Sequence, residues 1–329
     1  MVELGFLREL VFFMSFLGIF ALLVLGLNLQ WGYTGLFNIG VAAFFAVGAY
    51  TAAILVTPVV PPSDFYPGHW GFGLPYAVGI VGAILVAAVL GFLIAIPTVR
   101  LRADYLAIAT LGLAEIIRLS LIQSESITAG TIGLRNIPSP VIVPGDPFLT
   151  NVTFAVIVIL GVVVLYFFIE FVGRSPWGRV LKAIREDEDA AVALGKNAFS
   201  YKVQAFVLGA AIMGAAGALF GSFLHIIEPL TTFTPIDTFF IWVMVILGGA
   251  GNNRGVLVGA LLVWGFQFMI IRTPFPDLGV IDLESKKAFL QLIALGLLVV
   301  LVMLFRPRGI LGEEKVISRG VLRRSRRYT

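Results

Sequence analysis

The chain contains no cysteine, which excludes a disulfide framework, a thiolate metal site and a cysteine nucleophile. Histidine is nearly absent: His69 and His225 are the only two, so a histidine-rich metal cluster is excluded and no metal site is expected. Charge is scarce as well. Only 13% of residues are charged, against about 25% in a soluble domain. A Gly-x-x-x-x-Gly-Lys-Ser/Thr loop, whose amides would cradle phosphate, is missing. The only Gly-Lys, Gly195-Lys196, has Ala190 at the required glycine offset and Asn197 after it. There is no Gly-x-Ser-x-Gly elbow and no His-Glu-x-x-His helix. No catalytic residue is expected on this chain, and no cofactor.

Apolar residues fill the place of the missing charge. They make up 59% of the 329 residues, and the mean hydropathy is +1.00. No soluble core hides that much apolar surface, so the bilayer is the solvent for most of it. Runs of about 20 apolar residues read as transmembrane helices. Candidate spans cover 10–29, 35–57, 74–97, 103–122, 151–172, 201–224, 237–249, 255–271 and 287–305. The expected fold is an all-α integral membrane protein, one polytopic bundle of about nine (eight to ten) transmembrane helices over 1–329. The first run follows Glu3, Arg8 and Glu9 and is too long for a signal peptide core. Gly35 to Gly40, with Asn38 among them, mark a broken or re-entrant start to the second span. Gly248 to Asn253 separate the short seventh and eighth.

Lysine and arginine orient the spans, because cytoplasmic loops carry them in excess. With the C-terminus inside, segments 98–102, 173–202, 250–254 and 306–329 hold 17 of the 23 basic residues. The N-terminus is then outside. The outer loops carry Pro58, Pro61, Pro62 and Pro67, then Pro138, Pro140, Pro144 and Pro147, so they are not regular helix. The basic tail, with Arg319, Arg323, Arg324, Arg326 and Arg327, reads as an anchor on anionic lipid. No folded nucleic-acid module accompanies it.

The most informative stretch runs from Ser175 to Gly195, on the cytoplasmic side. Ser175 and Pro176 form a cap and first helical position. Val180, Leu181 and Ile184 sit at helical spacing, and Arg179, Lys182, Arg185 and Glu186 occupy the other faces. An acidic run, Glu186 to Asp189, leads to a second piece, Ala190 to Leu194, which Gly195 closes. Anionic lipid would repel those acids. A groove in a soluble protein partner suits them better; an ordinary solvated loop is the plainer alternative.

At these residues the chain resembles the permease subunits of ABC importers. Asp189-Ala190-Ala191, three residues and Gly195 are similar to their cytoplasmic motif, with Asp in place of the usual Glu. Gly26 to Gly40, Ala42 to Thr51, Tyr105 to Leu111, Leu247 to Gly251 with Gly255, and Arg306 to Gly312 resemble LivM-type permeases for branched-chain amino acids. The resemblance covers about the whole chain and is not specific for one solute. One departure is Asn38-Ile39-Gly40-Val41, where a Ser and a His would be expected.

The resemblance implies an importer of branched-chain or other neutral amino acids in a bacterial or archaeal plasma membrane. Urea or short amides remain an alternative solute, and a self-sufficient secondary transporter or channel is an alternative class. It further implies a soluble binding protein outside, a second, LivH-like permease as heterodimer partner, and ATPase subunits inside that use ATP and Mg. Residues 173–200 would carry the coupling helix that docks into the ATPase. Arg179, Arg185, Glu186, Asp187, Asp189, Ala190, Ala191 and Gly195 are its candidate contacts.

Polar groups inside spans are costly and mark function or a buried pair. Asn28, Gln30 and Asn38 cluster where the first span meets the second; they satisfy backbone freed by a broken helix or else contact the solute. Glu115 and Arg118, three apart, form a helix-end ion pair or lie on the solute path. Glu228 reads as a solvated carboxylate of an outer loop. In the sixth span Gly214, Gly217 and Gly221 allow another helix close approach. That span is central in the bundle, at a subunit interface or beside a path.

Overall fold

Asn38 and two glycines divide the first two apolar segments differently from their hydropathy. In the computed structural model, which describes residues 2–63, 65–273, 286–306 and 308–313, α1 runs Val2–Leu27 and continues as a π-helical turn, Asn28–Gly32. Residues 35–40 are non-helical, and α2 begins only at Val41, running Val41–Val56. The second span therefore starts six residues later than expected from 35–57. Gly35 takes a positive φ of 72°, which favours glycine and ends the helix there. The basic run Arg319–Arg327 lies outside the described residues.

The chain then continues as α3 (Tyr76–Thr98), α4 (Ala103–Gln123), a single turn α5 (Glu125–Thr128), α6 (Pro147–Arg174), α7 (Pro176–Glu186), α8 (Glu188–Ala193), α9 (Ala198–Leu224), α10 (Pro235–Gly248), α11 (Asn253–Arg272) and α12 (Lys287–Phe305). Local chemistry sets the starts. Asp146 accepts hydrogen bonds from the amides of Phe148 (2.9 Å) and Leu149 (3.1 Å), with Pro147 as first helical residue. Asp237 reaches back to the amide and hydroxyl of Thr234, both at 2.8 Å. Asn252 caps α11 through the amides of Arg254 and Gly255.

Among the described residues six helices are long and apolar enough to cross a membrane: α1 with its π turn, α3, α4, α6, α9 and α11. Val41–Val56, Pro235–Gly248 and Phe289–Phe305 are shorter apolar helices. The protein is thus a mostly helical, polytopic membrane protein. The strand content among the described residues is small: β1 (Leu134–Arg135) pairs antiparallel with β2 (Ile226–Ile227), plus isolated bridges in the loop after α2.

α9 is the central helix. Its apolar window is 67% buried, against 17% for α4 and 22% for α6. The outer faces of those two present Ile108, Ile116, Val164 and Phe171, which suits a hydrocarbon surrounding. Glycine sets the crossings of α9. A Cβ on Gly48 of α2 would strike the backbone of Gly214, and one on Gly217 would strike the backbone of Phe45. Gly214 also lies under Ala83 and Ala87 of α3. Gly221 differs, since its nearest atom, Ile227 Cγ2, is at an ordinary 3.5 Å. Small residues here replace the hydrophobic drive that lipid removes.

One end of the bundle gathers the π turn, the α6–α9 connection, the α10–α11 turn and residues 308–313. The β1–β2 pair marks the opposite end. There Glu115 and Arg118 make a bidentate pair (2.5 and 2.9 Å), and Arg118 also donates to the carbonyl of Pro229 at 3.2 Å.

Adding an isopropyl group at Gly48 or Gly214 forces these crossings apart. Gly48→Val and Gly214→Val are each expected to destabilise the bundle by about 1–3 kcal/mol or more. A lower thermal unfolding midpoint of the detergent-solubilised protein checks this. Gly112→Val, which meets nothing within 4 Å, serves as the unchanged control.

Candidate functional site

The segment between α6 and α9 folds as two short helices. Ser175 precedes Pro176, and its hydroxyl faces the amide of Gly178 at 3.4 Å. Leu181 and Ile184 are buried, and Val180 half-buried, so the apolar stripe of α7 lies against the bundle. Trp177 ties α7 to α9 through a 2.7 Å bond from its indole N–H to Gln204. Asp187 caps α8 by accepting from the amide of Ala190 at 2.9 Å. Gly195 closes it with φ 77°, its amide bonded to the carbonyl of Val192 at 2.8 Å. Lys202 of α9 bridges Glu188 at 2.5 Å.

The eight residues expected to contact a partner divide in two. Arg179, Glu186, Asp187, Asp189, Ala190 and Gly195 are exposed. Arg185 and Ala191 are directed inward: Ala191 is 4% exposed and packs with Ile184 and Ala198, and Arg185 is held beneath α7. Those two anchor the pair rather than present it. The surface of α8 gains instead two apolar side chains absent from the expected set, Val192 (52% exposed) and Leu194 (81%). A six-residue helix is too short for periodicity to reveal its outer face.

Beneath α7 lies a polar junction. Arg185 donates to the carbonyl of Gly32, to Glu186 at 2.7 Å and to Glu313 at 2.6 Å. Burial pushes its pKa down, but the hydrogen bonds it donates to these two carboxylates raise it by more, so it stays above the usual arginine value. Glu313 also pairs with Lys182 at 2.7 Å, whose ammonium sits 5.0 Å over the Tyr33 ring. Asn28 donates to Asn253 (2.9 Å) and accepts from the amide of Gly251 (2.8 Å). Asn253 donates in turn to the Tyr33 hydroxyl (2.9 Å) and to Glu170 (3.0 Å). An open polar cavity of about 360 Å³ is lined by Tyr33, Glu170, Lys182, Asn253 and Glu313, among others. Tyr33 and Asn253 fall in stretches the sequence singles out, but no signal marks their pairing, nor Glu313 at all, because the partners lie far off along the chain.

Above the junction the break itself is closed by side chains. Gln30 donates to the carbonyl of Phe206 at 2.8 Å and accepts from Asn38 at 2.8 Å. Asn38 accepts from the amide of Gly40 at 2.8 Å, and its carbonyl takes the Trp242 indole N–H at 3.0 Å. Thr110 accepts from the amide of Ile39 (3.0 Å) and Thr238 from that of Ala42 (3.1 Å). Asn28, Gln30 and Asn38 are fully buried. Both polar atoms of each side chain are engaged within the chain. Glu115 and Arg118 are not brought here; they lie toward the opposite end. Among the described residues no group of three or more His, Cys, Asp or Glu could hold a metal ion.

A multi-pass helical bundle with a satisfied break at depth and an amphipathic helix pair at one end has the architecture of a membrane permease. Residues 10–305 match the family model described as the branched-chain amino acid transport system permease component. The chain is 33% identical to the high-affinity branched-chain amino acid transport permease LivM of Salmonella typhimurium, over 89% of this chain and 68% of that protein. It is 28% identical to the probable LivM permease of Methanocaldococcus jannaschii, over 92% of each. Identity to the LivH permease of Salmonella typhimurium is 26%, over 90% of this chain and 92% of that one. No solved structure matches the chain. The chain belongs to the branched-chain amino acid transport permease family, and within it to the LivM type.

Asn28→Ala strips partners from the Gly251 amide and from Asn253 inside the junction. The expected cost is about 1–3 kcal/mol. Faster amide hydrogen exchange over 28–34 and 249–253, with a lower unfolding midpoint, checks it.

Proposed function

We propose that this chain is the membrane permease subunit of an ATP-driven ABC importer for branched-chain or other neutral amino acids. The observation that carries the reading is the α7–α8 pair. It is anchored inward by Leu181, Ile184, Arg185 and Ala191, and it presents Asp189, Ala190, Val192, Leu194 and Gly195 outward. The outward set combines an acidic rim with an apolar tip, which suits a groove in a soluble partner and not an anionic lipid surface. That partner is the ATPase subunit, which binds ATP and Mg; this chain contributes the docking surface.

Among the described residues, the end that carries α7 and α8 also holds most of the lysines and arginines, which supports a cytoplasmic C-terminus and an outer N-terminus in the plasma membrane. A soluble binding protein delivers the solute to the opposite end, beside the β1–β2 pair. A second permease of the LivH type completes the pore, in keeping with the LivM and LivH relatives. The chemical work is mechanical. ATP binding shifts the partner, the partner shifts α7, and the bundle changes between two states that it binds unequally.

Two measurements test the proposal. The ATPase subunit is expected to copurify with the wild type, and Val192→Asp with Leu194→Asp is expected to weaken its retention by about tenfold or more, as for central interface anchors. Uptake into reconstituted vesicles, with a panel of labelled neutral amino acids and urea, reads the solute. Retention and uptake equal to wild type in the double variant would remove the docking role.

A further inference from the structure

Residues 308–313, after α12, are bonded into the junction. The amides of Ile310 and Leu311 donate to the carbonyls of Leu247 and Gly248, at 2.9 and 3.1 Å, and so satisfy the open end of α10. Gly309, at φ 74°, lies so close to Gly249 that a Cβ would collide with its backbone. Asn252 donates to the carbonyls of Leu311 and Gly312, at 3.1 and 3.2 Å, while its oxygen caps α11. Residues 309–312 are therefore a fixed part of the α10–α11 turn.

Glu313 follows directly and spends one oxygen on each of two cations of α7. Oε1 meets Lys182 at 2.7 Å and Oε2 meets Arg185 at 2.6 Å. The two cations stand three residues apart, on one face of that helix. Arg185 reaches on to the carbonyl of Gly32, the last residue of the π turn. Asn28, at the start of the same turn, accepts from the amide of Gly251, next to Asn252. A closed circuit results: Glu313, Arg185, the π turn, Gly251, Asn252 and back to Glu313. It links three elements that the chain itself does not join in sequence. The apolar contacts of Leu181 and Ile184 are non-directional and permit sliding, whereas a carboxylate held by two cations fixes α7 in position and angle.

We propose that Glu313 is a positioning residue for transport: a strut through which movement of α7 displaces the α10–α11 turn and the broken first helix together. The proposal rests on the importer reading above and deepens it, since it names where the lever grips the bundle.

The test uses the assembled transporter in proteoliposomes, with its ATPase subunits and solute-loaded binding protein, and measures uptake and ATP hydrolysis side by side. In Glu313→Gln the ATPase is expected to remain bound, and uptake per ATP hydrolysed is expected to fall by about fivefold or more. A ratio within about twofold of wild type overturns the strut. Failure of the importer reading looks different, because then the wild type itself retains no ATPase or shows no ATP-dependent uptake. A second variant guards against misfolding. The chain has no cysteine of its own, so Lys182→Cys with Glu313→Cys can be joined by a short bis-maleimide. Joining is expected to restore the ratio that the unjoined pair loses; a ratio that stays low after joining also overturns the proposal.

Discussion

Inside a bilayer every backbone amide and carbonyl must find a partner within the protein, since lipid offers none. The first helix of this chain breaks that economy by unwinding at Gly35, with a π turn just before it. Its freed backbone groups are then matched one by one from distant helices: Thr110 and Thr238 accept from the amides of Ile39 and Ala42, and Trp242 donates to the carbonyl of Asn38, while the side chain of Gln30 ties the turn to the Phe206 carbonyl. The break is possible only where α4, α9 and α10 converge, and it fixes their mutual position in return. A side chain of the wrong length at any of these points would leave an amide bare in low dielectric, which costs more than the bond itself gains.

That constraint explains why glycine gathers on α9. To bring the Phe206 carbonyl within reach of Gln30, the helices must approach until Gly209 lies against the Gln30 side chain. The same closeness, carried one and two turns along, needs Gly48 opposite Gly214 and Gly217 opposite Phe45. In water, burial of apolar surface would draw these helices together. In lipid it does not, and the near contact of backbones takes over.

Hydropathy reads the spans well because it measures what lipid selects. Runs such as 103–122 and 287–305 match α4 and α12 nearly residue for residue. It reads breaks poorly. Leu36, Phe37 and Ile39 are as apolar as any helix, and only Gly35 and Asn38 betray that residues 35–40 are not one. Side-chain chemistry reads the caps: Ser175 with Pro176, and Gly195 at the close of α8. What the sequence hides is pairing at a distance. Arg185 looks like one more cation of an amphipathic face, and only the fold turns it toward Gly32 and Glu313, 128 residues further on. Glu313 stands with Glu314 among the basic residues of the tail, where a pair of acids reads as noise. Val192 and Leu194 are hidden for the opposite reason: apolar residues beside buried Ala191 read as core, yet α8 is too short to bury more than one side.

The choice of side chains in the junction follows from geometry more than from charge. Lys182 offers a compact ammonium on a flexible stem, which suits a bridge to one oxygen of Glu313 and a place over the Tyr33 ring. Arg185 must serve three directions at once: a carbonyl of the π turn, Glu186 on its own helix and Glu313 from the C-terminal segment. A planar guanidinium holds those donors at fixed angles, so meeting one partner places the others. An ammonium in the same position would keep the charge and lose the angular coupling. The rigidity of the junction resides in that plane, with Glu313 and the π turn as the two points it holds apart. The α7–α8 pair can thus be exposed at its tip and still be stiff at its root.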